Sequence, residues 1–261
     1  MRQARVPVYL HHFGPKKFTS LQHCKAWLLK EKIGCSWQTF VDDFATYFLD
    51  EIPDRSTLIK FVHRLPVWLK NKLVFLSAGT EPAEYGAIDS TGLSRTSASK
   101  YYLKRIDRDE PMTRSLKLSM YTSKKRILSF RLRAKWCGDT LDVKYLLNHS
   151  PILAETNCLD KGYDSNDTHK EFRDRGICSI IAVRKGCKRG QYRKEMRDYF
   201  DYAQYWERNC SEYNNSSIKR CFGNYVRSIK FTAQHSEVTA RIILHNIKQM
   251  LQRHFHRSRF N

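Results

Sequence analysis

Apolar side chains recur at helical spacing along the first 80 residues of the chain. The pattern predicts four helices, bounded by serine, proline and glycine: 21–33, 37–48, 56–65 and 67–76. The aromatic side chains from Trp37 to Phe48 are expected in the core rather than on a binding surface. The turn at 53–56 is compatible with a helix-turn-helix that binds DNA, and a compact helical bundle produces the same pattern.

The spacing changes after the linker at 77–82, SAGTEP. Short apolar segments, alternating or continuous, predict five strands: 85–91, 116–121, 127–136, 158–160 and 177–183. Helical spacing returns between and after the later strands, at 142–147, 167–175, 205–223 and 235–253. This order predicts an α/β domain over residues 81–261 that follows a helical N-terminal region over residues 1–80.

The charge of the chain is strongly positive and unevenly distributed. Lys and Arg number 47 against 26 Asp and Glu, for a net charge of +21. Basic residues outnumber acidic ones in 95–135, 184–197 and 205–261, whereas acidic residues outnumber basic ones in 136–183. Extended phosphate backbone is the partner that this distribution favours, because each neutralised phosphate releases counterions. A basic ribosomal or chromatin-type protein would show a similar charge.

Cysteine usage and hydropathy favour an intracellular protein. The eight cysteines include no pair at two-residue spacing and no histidine partner at zinc-finger spacing, so we expect reduced thiols. The N-terminal residues lack the apolar core of a signal peptide, and no apolar run of about 18 residues occurs. We therefore expect a soluble, cytoplasmic protein that does not bind a membrane.

The stretch 205–223, YWERNCSEYNNSSIKRCFG, carries the clearest candidate chemistry. At about 100° per residue, four side chains would share a helical stripe roughly 60° wide: Tyr205, Arg208, Glu212 and Lys219. A carboxylate among phosphate-binding side chains suits a metal ligand beside a polyanion. A solvated amphipathic helix is the alternative, and the poor helix formers at 214–217, NNSS, would favour a break in the helix.

The spacing Tyr, two residues, Arg, three residues, Glu, six residues, Lys resembles the C-terminal signature of DDE-type insertion-sequence transposases of bacteria and archaea. Two further segments resemble blocks of that family in the same order. AIDSTG at 87–92 is similar to the strand with the first Asp, and LDKGYDS at 159–165 is similar to the block with the second. The resemblance implies a ribonuclease-H-like fold, a mixed sheet flanked by helices, and an N-terminal region that holds the ends of the mobile element.

The resemblance also implies a catalytic site of three acids that are at the same time metal ligands: Asp89, Asp160 and Glu212. Two divalent cations about 4 Å apart activate the attacking oxygen and stabilise the leaving one, and carboxylates suit Mg²⁺ or Mn²⁺. The implied reaction cuts the ends of the element and joins the freed 3′-hydroxyl to target DNA. Asp89 alone could instead be a turn residue. Asp164 and Asp167 compete with Asp160, and we expect them to serve a turn and a helix cap.

Further side chains are predicted to contact DNA, most of them basic: Tyr205, Arg208, Lys219, Tyr163, Lys185, Lys188, Arg189 and Arg220. Arg208 and Lys219 could instead pair with a neighbouring glutamate, and Tyr163 could pack in the core. The basic run 184–197 is expected to be a DNA-facing loop, with an ordinary exposed charged turn as the alternative.

The partners and the place of action follow from the resemblance as well. It implies that a homodimer binds the terminal inverted repeats and target DNA in a paired-end complex, at the nucleoid in the cytoplasm of a prokaryote. Two other functions are compatible with the same residues: a catalytically inactive or domesticated DNA-binding relative, and a structure-specific nuclease of the same fold.

Overall fold

The computed structural model describes residues 5–10, 16–98, 105, 115–150, 152–187 and 189–257. The N-terminal part is helical, with α1 at Ser20–Ile33, α2 at Trp37–Thr39, α3 at Arg55–Arg64 and α4 at Val67–Ala78. The hydroxyl of Thr19 caps the start of α1, and Gly34, with a left-handed φ of 81°, ends it. The predicted helices are confirmed except in the second segment.

The aromatic segment after α2 is irregular. A π-helical turn at Phe40–Phe44 and a 3-10 turn at Ala45–Tyr47 replace the regular helix that the sequence pattern predicts. The changed number of residues per turn rotates the end of the segment away from the core, so Tyr47 is 78% exposed and Phe48 is 43% exposed. The prediction that the whole aromatic stripe is core is therefore wrong for these two residues.

Five strands form one mixed sheet: β1 Tyr85–Leu93, β2 Leu116–Ser123, β3 Arg126–Arg133, β4 Thr156–Leu159 and β5 Cys178–Ile181. Their order across the sheet is β3-β2-β1-β4-β5. β2 is antiparallel to both β1 and β3, whereas β4 is parallel to both β1 and β5. The five predicted strands are confirmed, with small shifts at their ends. The remaining helices are α5 Thr140–Asn148, α6 Asn166–Arg173, α7 Gln191–Asp198, α8 Tyr202–Tyr205, α9 Asn209–Phe222 and α10 Phe231–Arg257.

Helices cover both faces of the sheet. On one face, Leu146 of α5 and Phe172 of α6 belong to an apolar cluster with strand residues. On the other face, Ile218 of α9 and Ile242 of α10 belong to a second cluster with Leu118 of β2. This arrangement confirms the predicted α/β class and is consistent with a ribonuclease-H-like fold. None of the helices in the described ranges combines the length and the apolar character needed to span a bilayer.

The N-terminal helices pack on the same core as the sheet. α4 lies against β3 and α10, and α1 lies against α10. Trp27 and Leu69 share an apolar cluster with strand residues, and Lys70 Nζ donates to Ser236 Oγ at 2.7 Å in a buried contact. The division into domains at residue 80 stays a prediction, because a shared core is compatible with a separate role for the N-terminal helices.

α8, a 3-10 turn and α9 follow one another directly, in agreement with the predicted helix at 205–223. The helix does not break at Asn214, because Nδ2 of this residue donates to the carbonyl of Lys124 at 2.8 Å and Oδ1 accepts from His245 Nε2 at 2.9 Å. Burial lowers the pKa of His245 to about 4, so the ring is neutral near pH 7. These buried contacts outweigh the weak helix propensity of asparagine and hold α9 against the sheet.

Candidate active site

Three acids from distant parts of the sequence come to one region of the sheet. Asp89 lies in the middle of the central strand β1, and Asp160 directly follows β4. Ile88 pairs with Leu159 in the parallel ladder, so the two acids occupy the next position of neighbouring strands. Glu212 lies in the first turn of α9, which packs on β1 and β2, and it lines the same open depression as Asp89.

The pKa of the Asp89 carboxylate is raised, and burial is the main cause. The backbone N–H of Ser90 and the charge of Arg208 lower this pKa, and the charges of Asp139 and Asp160 add smaller increases. A buried carboxylate with a raised pKa and charged neighbours is typical of a functional site.

Two of the acids have side-chain partners, one from α9 and one from the 3-10 turn before it. Asp89 Oδ2 accepts a hydrogen bond from Asn215 Nδ2 at 2.8 Å, and Glu212 Oε1 pairs with Arg208 Nη2 at 2.8 Å. With Glu212 turned to Arg208, the three acids do not converge on one point. Across the residues that the structure describes, no group of three Asp, Glu, His or Cys side chains is placed to hold a metal ion.

The donor set nevertheless fits Mg²⁺ or Mn²⁺ in kind. Every candidate ligand is a carboxylate, and hard oxygen donors are what these ions take. The Glu212 side chain is 56% exposed, and its ion pair joins residues one helical turn apart. Exposed pairs of this kind stabilise a helix only weakly, so Glu212 can exchange Arg208 for a stronger partner.

The other side chains of the predicted stripe, Tyr205, Arg208 and Lys219, lie beside these acids. The Arg208 guanidinium lies over the ring of Tyr205, 5.8 Å from its centre. Burial and the charge of Asp160 raise the pKa of Tyr205, whose hydroxyl also bonds to this carboxylate. Lys219 and Arg220 line the depression together with Asp89 and Glu212. The alternative in which Arg208 pairs with Glu212 is confirmed, and the DNA contacts stay predictions.

Tyr163 is a core residue. Its side chain is 2% exposed, belongs to the apolar cluster under α5 and α6, and has its hydroxyl 3.0 Å from Ser90 Oγ. The predicted DNA contact of Tyr163 is therefore wrong, because a nucleic acid has no access to the ring, and the packing alternative is confirmed.

Two predicted DNA-binding residues lie in the loop after β5. Lys185 and Arg189 are exposed, whereas Lys188 lies outside the described residues. The same loop is tied to the segment after β4, since Arg184 Nε and Nη2 donate to the carbonyls of Lys161 and Gly162 at 3.0 and 2.9 Å. This part of the basic run therefore borders the candidate site.

The second half of the basic run is helical. The prediction of one loop over 184–197 is wrong, because α7 begins after Gly190, which has a left-handed φ of 94°. The backbone N–H of Tyr192 donates to Asn166 Oδ1 at 3.1 Å, and α7 packs on α6. The docking surface on α6 explains a helix that the charged sequence itself does not indicate.

The two acids that compete with Asp160 have structural roles. The buried carboxylate of Asp164 accepts from Arg193 Nε at 2.7 Å and from the backbone N–H of Arg184 at 2.9 Å. Asp164 therefore ties the segment after β4 to α7 and to the loop after β5, which is a different role from the predicted one within a turn. The predicted capping role of Asp167 is wrong, because the hydroxyl of Ser165 caps α6 instead. Asp160 therefore stays the candidate ligand of this segment.

Sequence reasoning missed two polar residues of the site. Asp139 precedes α5 and raises the pKa of Asp89, and its own carboxylate is 2.8 Å from Lys117 Nζ. No motif marks this residue, and only the packing of α5 brings it here. Asn215 could have been found, because it follows Glu212 by three residues and so shares its helical face.

No protein-family model matches the sequence, and no curated protein sequence matches it. Among solved structures, the chain is similar to a piggyBac transposase in the cryo-EM structure of its synaptic complex with hairpin DNA. The sequence identity is 9%, the TM-score is 0.49, and the match covers 93% of this chain and 67% of that chain.

Proposed function

We propose that this protein is a metal-dependent transposase that cuts the ends of an insertion sequence and joins them to target DNA. The observation that carries the proposal is the position of Asp89 and Asp160 on neighbouring strands, with Glu212 and basic side chains lining the same depression as Asp89. Acids on neighbouring strands repel each other, so the proximity of Asp89 and Asp160 favours a site for cations.

Asp89, Asp160 and Glu212 would hold Mg²⁺ or Mn²⁺ through their carboxylate oxygens. When two such ions are bound, they activate an attacking water or 3′-hydroxyl and stabilise charge on the leaving oxygen. Asp89 is half-buried and is held by Asn215, so it is the preorganised member of the set. Glu212 would join the set after Arg208 has left it for a phosphate.

Arg208, Lys219 and Arg220 would contact the phosphates next to the cut. A phosphate offers the Arg208 guanidinium two oxygens in a fork geometry, a stronger partner than an exposed glutamate. Lys185 and Arg189 would extend the contact along the backbone, and the net charge of +21 favours binding of both the terminal inverted repeats and target DNA. A homodimer would hold two ends together.

A catalytically inactive DNA-binding relative is the second candidate function. It is favoured by the Arg208–Glu212 ion pair and by the lack, in the described ranges, of a converged set of metal ligands. Such a relative would keep the basic surface and would bind DNA in a salt-dependent manner without cutting it.

The test is cleavage of a duplex that carries the repeats flanking the gene, with Mg²⁺ or Mn²⁺ and with EDTA. We expect ion-dependent nicking at the repeat ends. Three substitutions test the acids: Asp89→Asn, Asp160→Asn and Glu212→Gln. Each should slow cleavage by more than about 100-fold, which exceeds the usual loss for a residue that only orients a metal ligand. DNA affinity should stay unchanged within about twofold. Asp174→Asn, a change of an exposed acid after α6, is the control and should cut normally.

Each alternative has its own outcome in this assay. Cleavage retained in any one of the three acid variants would remove that residue from the assigned site. Salt-dependent binding without nicking under any ion condition would support the inactive relative. Cutting without preference for the terminal repeats would support a structure-specific nuclease.

A further inference from the structure

Two neighbouring asparagines on α9 use their side chains differently. Asn214 is buried and both ends of its amide are paired, with Lys124 and with His245. Asn215 turns to the candidate site, where its Nδ2 donates to Asp89 Oδ2 at 2.8 Å. The Oδ1 atom of Asn215 is buried and has no hydrogen-bond partner within the described part of the chain.

The orientation of the Asn215 amide follows from charge. If oxygen and nitrogen were exchanged, a carbonyl would face the Asp89 carboxylate, and two acceptors would repel each other. The amino group therefore belongs on Asp89, and the oxygen remains the atom without a donor. A buried acceptor without a donor is uncommon in folded proteins and destabilises the fold, so packing alone does not favour an amide at this position.

The hydrogen bond from Asn215 to Asp89 lies beside an open depression. The depression measures about 730 Å³, and its lining includes Asp89, Glu212, Asn215 and Lys219. Asn215 and Glu212 are three residues apart and share one helical face. Asn215 therefore contacts one acid of the candidate site from the helix that carries another.

We propose that Asn215 is a positioning residue of this site. Its Nδ2 holds the Asp89 carboxylate in the orientation in which that carboxylate would bind a divalent cation. The inference rests on the proposed function, in which Asp89 is a metal ligand. Leucine has a similar volume and cannot donate this hydrogen bond.

The first experiment measures Mn²⁺ binding without DNA by titration calorimetry. Asn215→Leu should weaken Mn²⁺ binding by about 10- to 100-fold, the loss typical of a residue that orients a metal ligand. Ser216→Ala changes an exposed side chain that lines the same depression, so it is the matched control and should leave the affinity unchanged. Asp89→Ala should abolish binding. Normal affinity in Asn215→Leu, together with loss in Asp89→Ala, would overturn the role of Asn215 and leave the proposed function intact.

The second experiment separates positioning from DNA binding. At saturating DNA, Asn215→Leu should lower kcat by about 10- to 100-fold with KM for DNA unchanged within about twofold. A rise in KM with an unchanged kcat would overturn the positioning role, because it would show that Asn215 contributes only to DNA affinity.

The third experiment needs neither metal nor DNA. In EDTA, Asp89→Ala and Asn215→Leu form a double-mutant cycle on the unfolding equilibrium, and we expect the two changes to be non-additive by about fivefold or more. If the wild-type protein binds no Mn²⁺, the metal in the proposed function is wrong, and this cycle still decides whether Asn215 holds Asp89. Additive effects would overturn the inference.

Discussion

A buried ion-pair network below the candidate site makes a quantitative prediction for Asp142→Asn. The Asp142 side chain is fully buried and accepts hydrogen bonds from Ser119 Oγ and Arg133 Nε, each at 2.7 Å. The fully buried Lys117 Nζ is 3.3 Å from Asp142 and 2.8 Å from Asp139. Lys117 thus links the core under β2 to the acids of the site.

The cost of this substitution can be worked out from the contacts. Asparagine removes one negative charge and leaves Lys117 Nζ with the Asp139 carboxylate and the Cys137 carbonyl. Breaking a buried ion pair costs about 3–5 kcal/mol. We expect about 3 kcal/mol, the lower end, because Asp139 remains and the Arg133 side chain is 26% exposed and can reach water. Lys117→Met combined with Asp142→Asn should cost less than the sum of the single changes, since the cation without its partner is removed too.

Urea unfolding followed by circular dichroism at pH 7 measures the loss of unfolding free energy, with the slope of the transition as a check on cooperativity.

The loss should also depend on pH. Burial opposes the ionised form of Asp142, but hydrogen bonds from Ser119 and Arg133 and the charge of Lys117 outweigh it and lower the pKa. Such a carboxylate stabilises the fold above the ordinary Asp pKa of about 3.9, and its contribution is lost as the pH falls through the lowered pKa. The difference between wild type and variant should therefore be complete at pH 7 and shrink below about pH 4.

Asp174→Asn is the control for this prediction, because its exposed carboxylate should contribute less than about 0.5 kcal/mol. A loss below about 1 kcal/mol for Asp142→Asn would refute the reasoning, since a buried lysine cannot lose a partner so cheaply. Strict additivity with Lys117→Met would refute it as well.

Three further predictions concern other parts of the molecule. Gly86→Ala should destabilise the fold by about 1–3 kcal/mol in urea unfolding, because the added Cβ would lie 2.7 Å from Asn157 Oδ1. Gly138→Ala is the control, because its added Cβ would lie 4.0 Å from Thr140 Oγ1, an ordinary contact distance. Equal stability of the two variants would contradict the clash. Burial lowers the pKa of His245 to about 4, whereas the pKa in the unfolded chain is about 6.5. The neutral ring therefore contributes its full stability above pH 6.5, and up to about 3 kcal/mol of the unfolding free energy is lost as the pH falls from 6.5 to 4. Thermal midpoints at pH 7 and pH 5 should show this loss, and an equally steep pH dependence in His245→Gln would contradict it. Lys219→Gln should reduce the slope of log DNA affinity against log salt by about 1 in fluorescence anisotropy, and an unchanged slope would show that Lys219 contacts no phosphate.

Local sequence signals are sufficient to predict most elements of the fold and the segments that carry the candidate acids. Strand β2 and the hairpin to β3 follow from alternation and a turn, and the end of α1 follows from Gly34, because these signals depend on residues close together in the chain. Asp89 was predicted on a strand and Asp160 at the end of one, and the structure places both there. The spacing of apolar residues and the turn residues between them are sufficient for these predictions.

Contacts between distant side chains depend on the packing of the whole chain. Asn214 and its neighbours remain helical because His245 and the hairpin supply partners, although their own propensity favours a break. Tyr163 is buried, and Asn215 contacts Asp89, 126 positions away in the sequence. The physical reason is range: periodicity and capping act over a few residues, whereas burial, pairing and the repulsion among acids depend on the packing of distant segments.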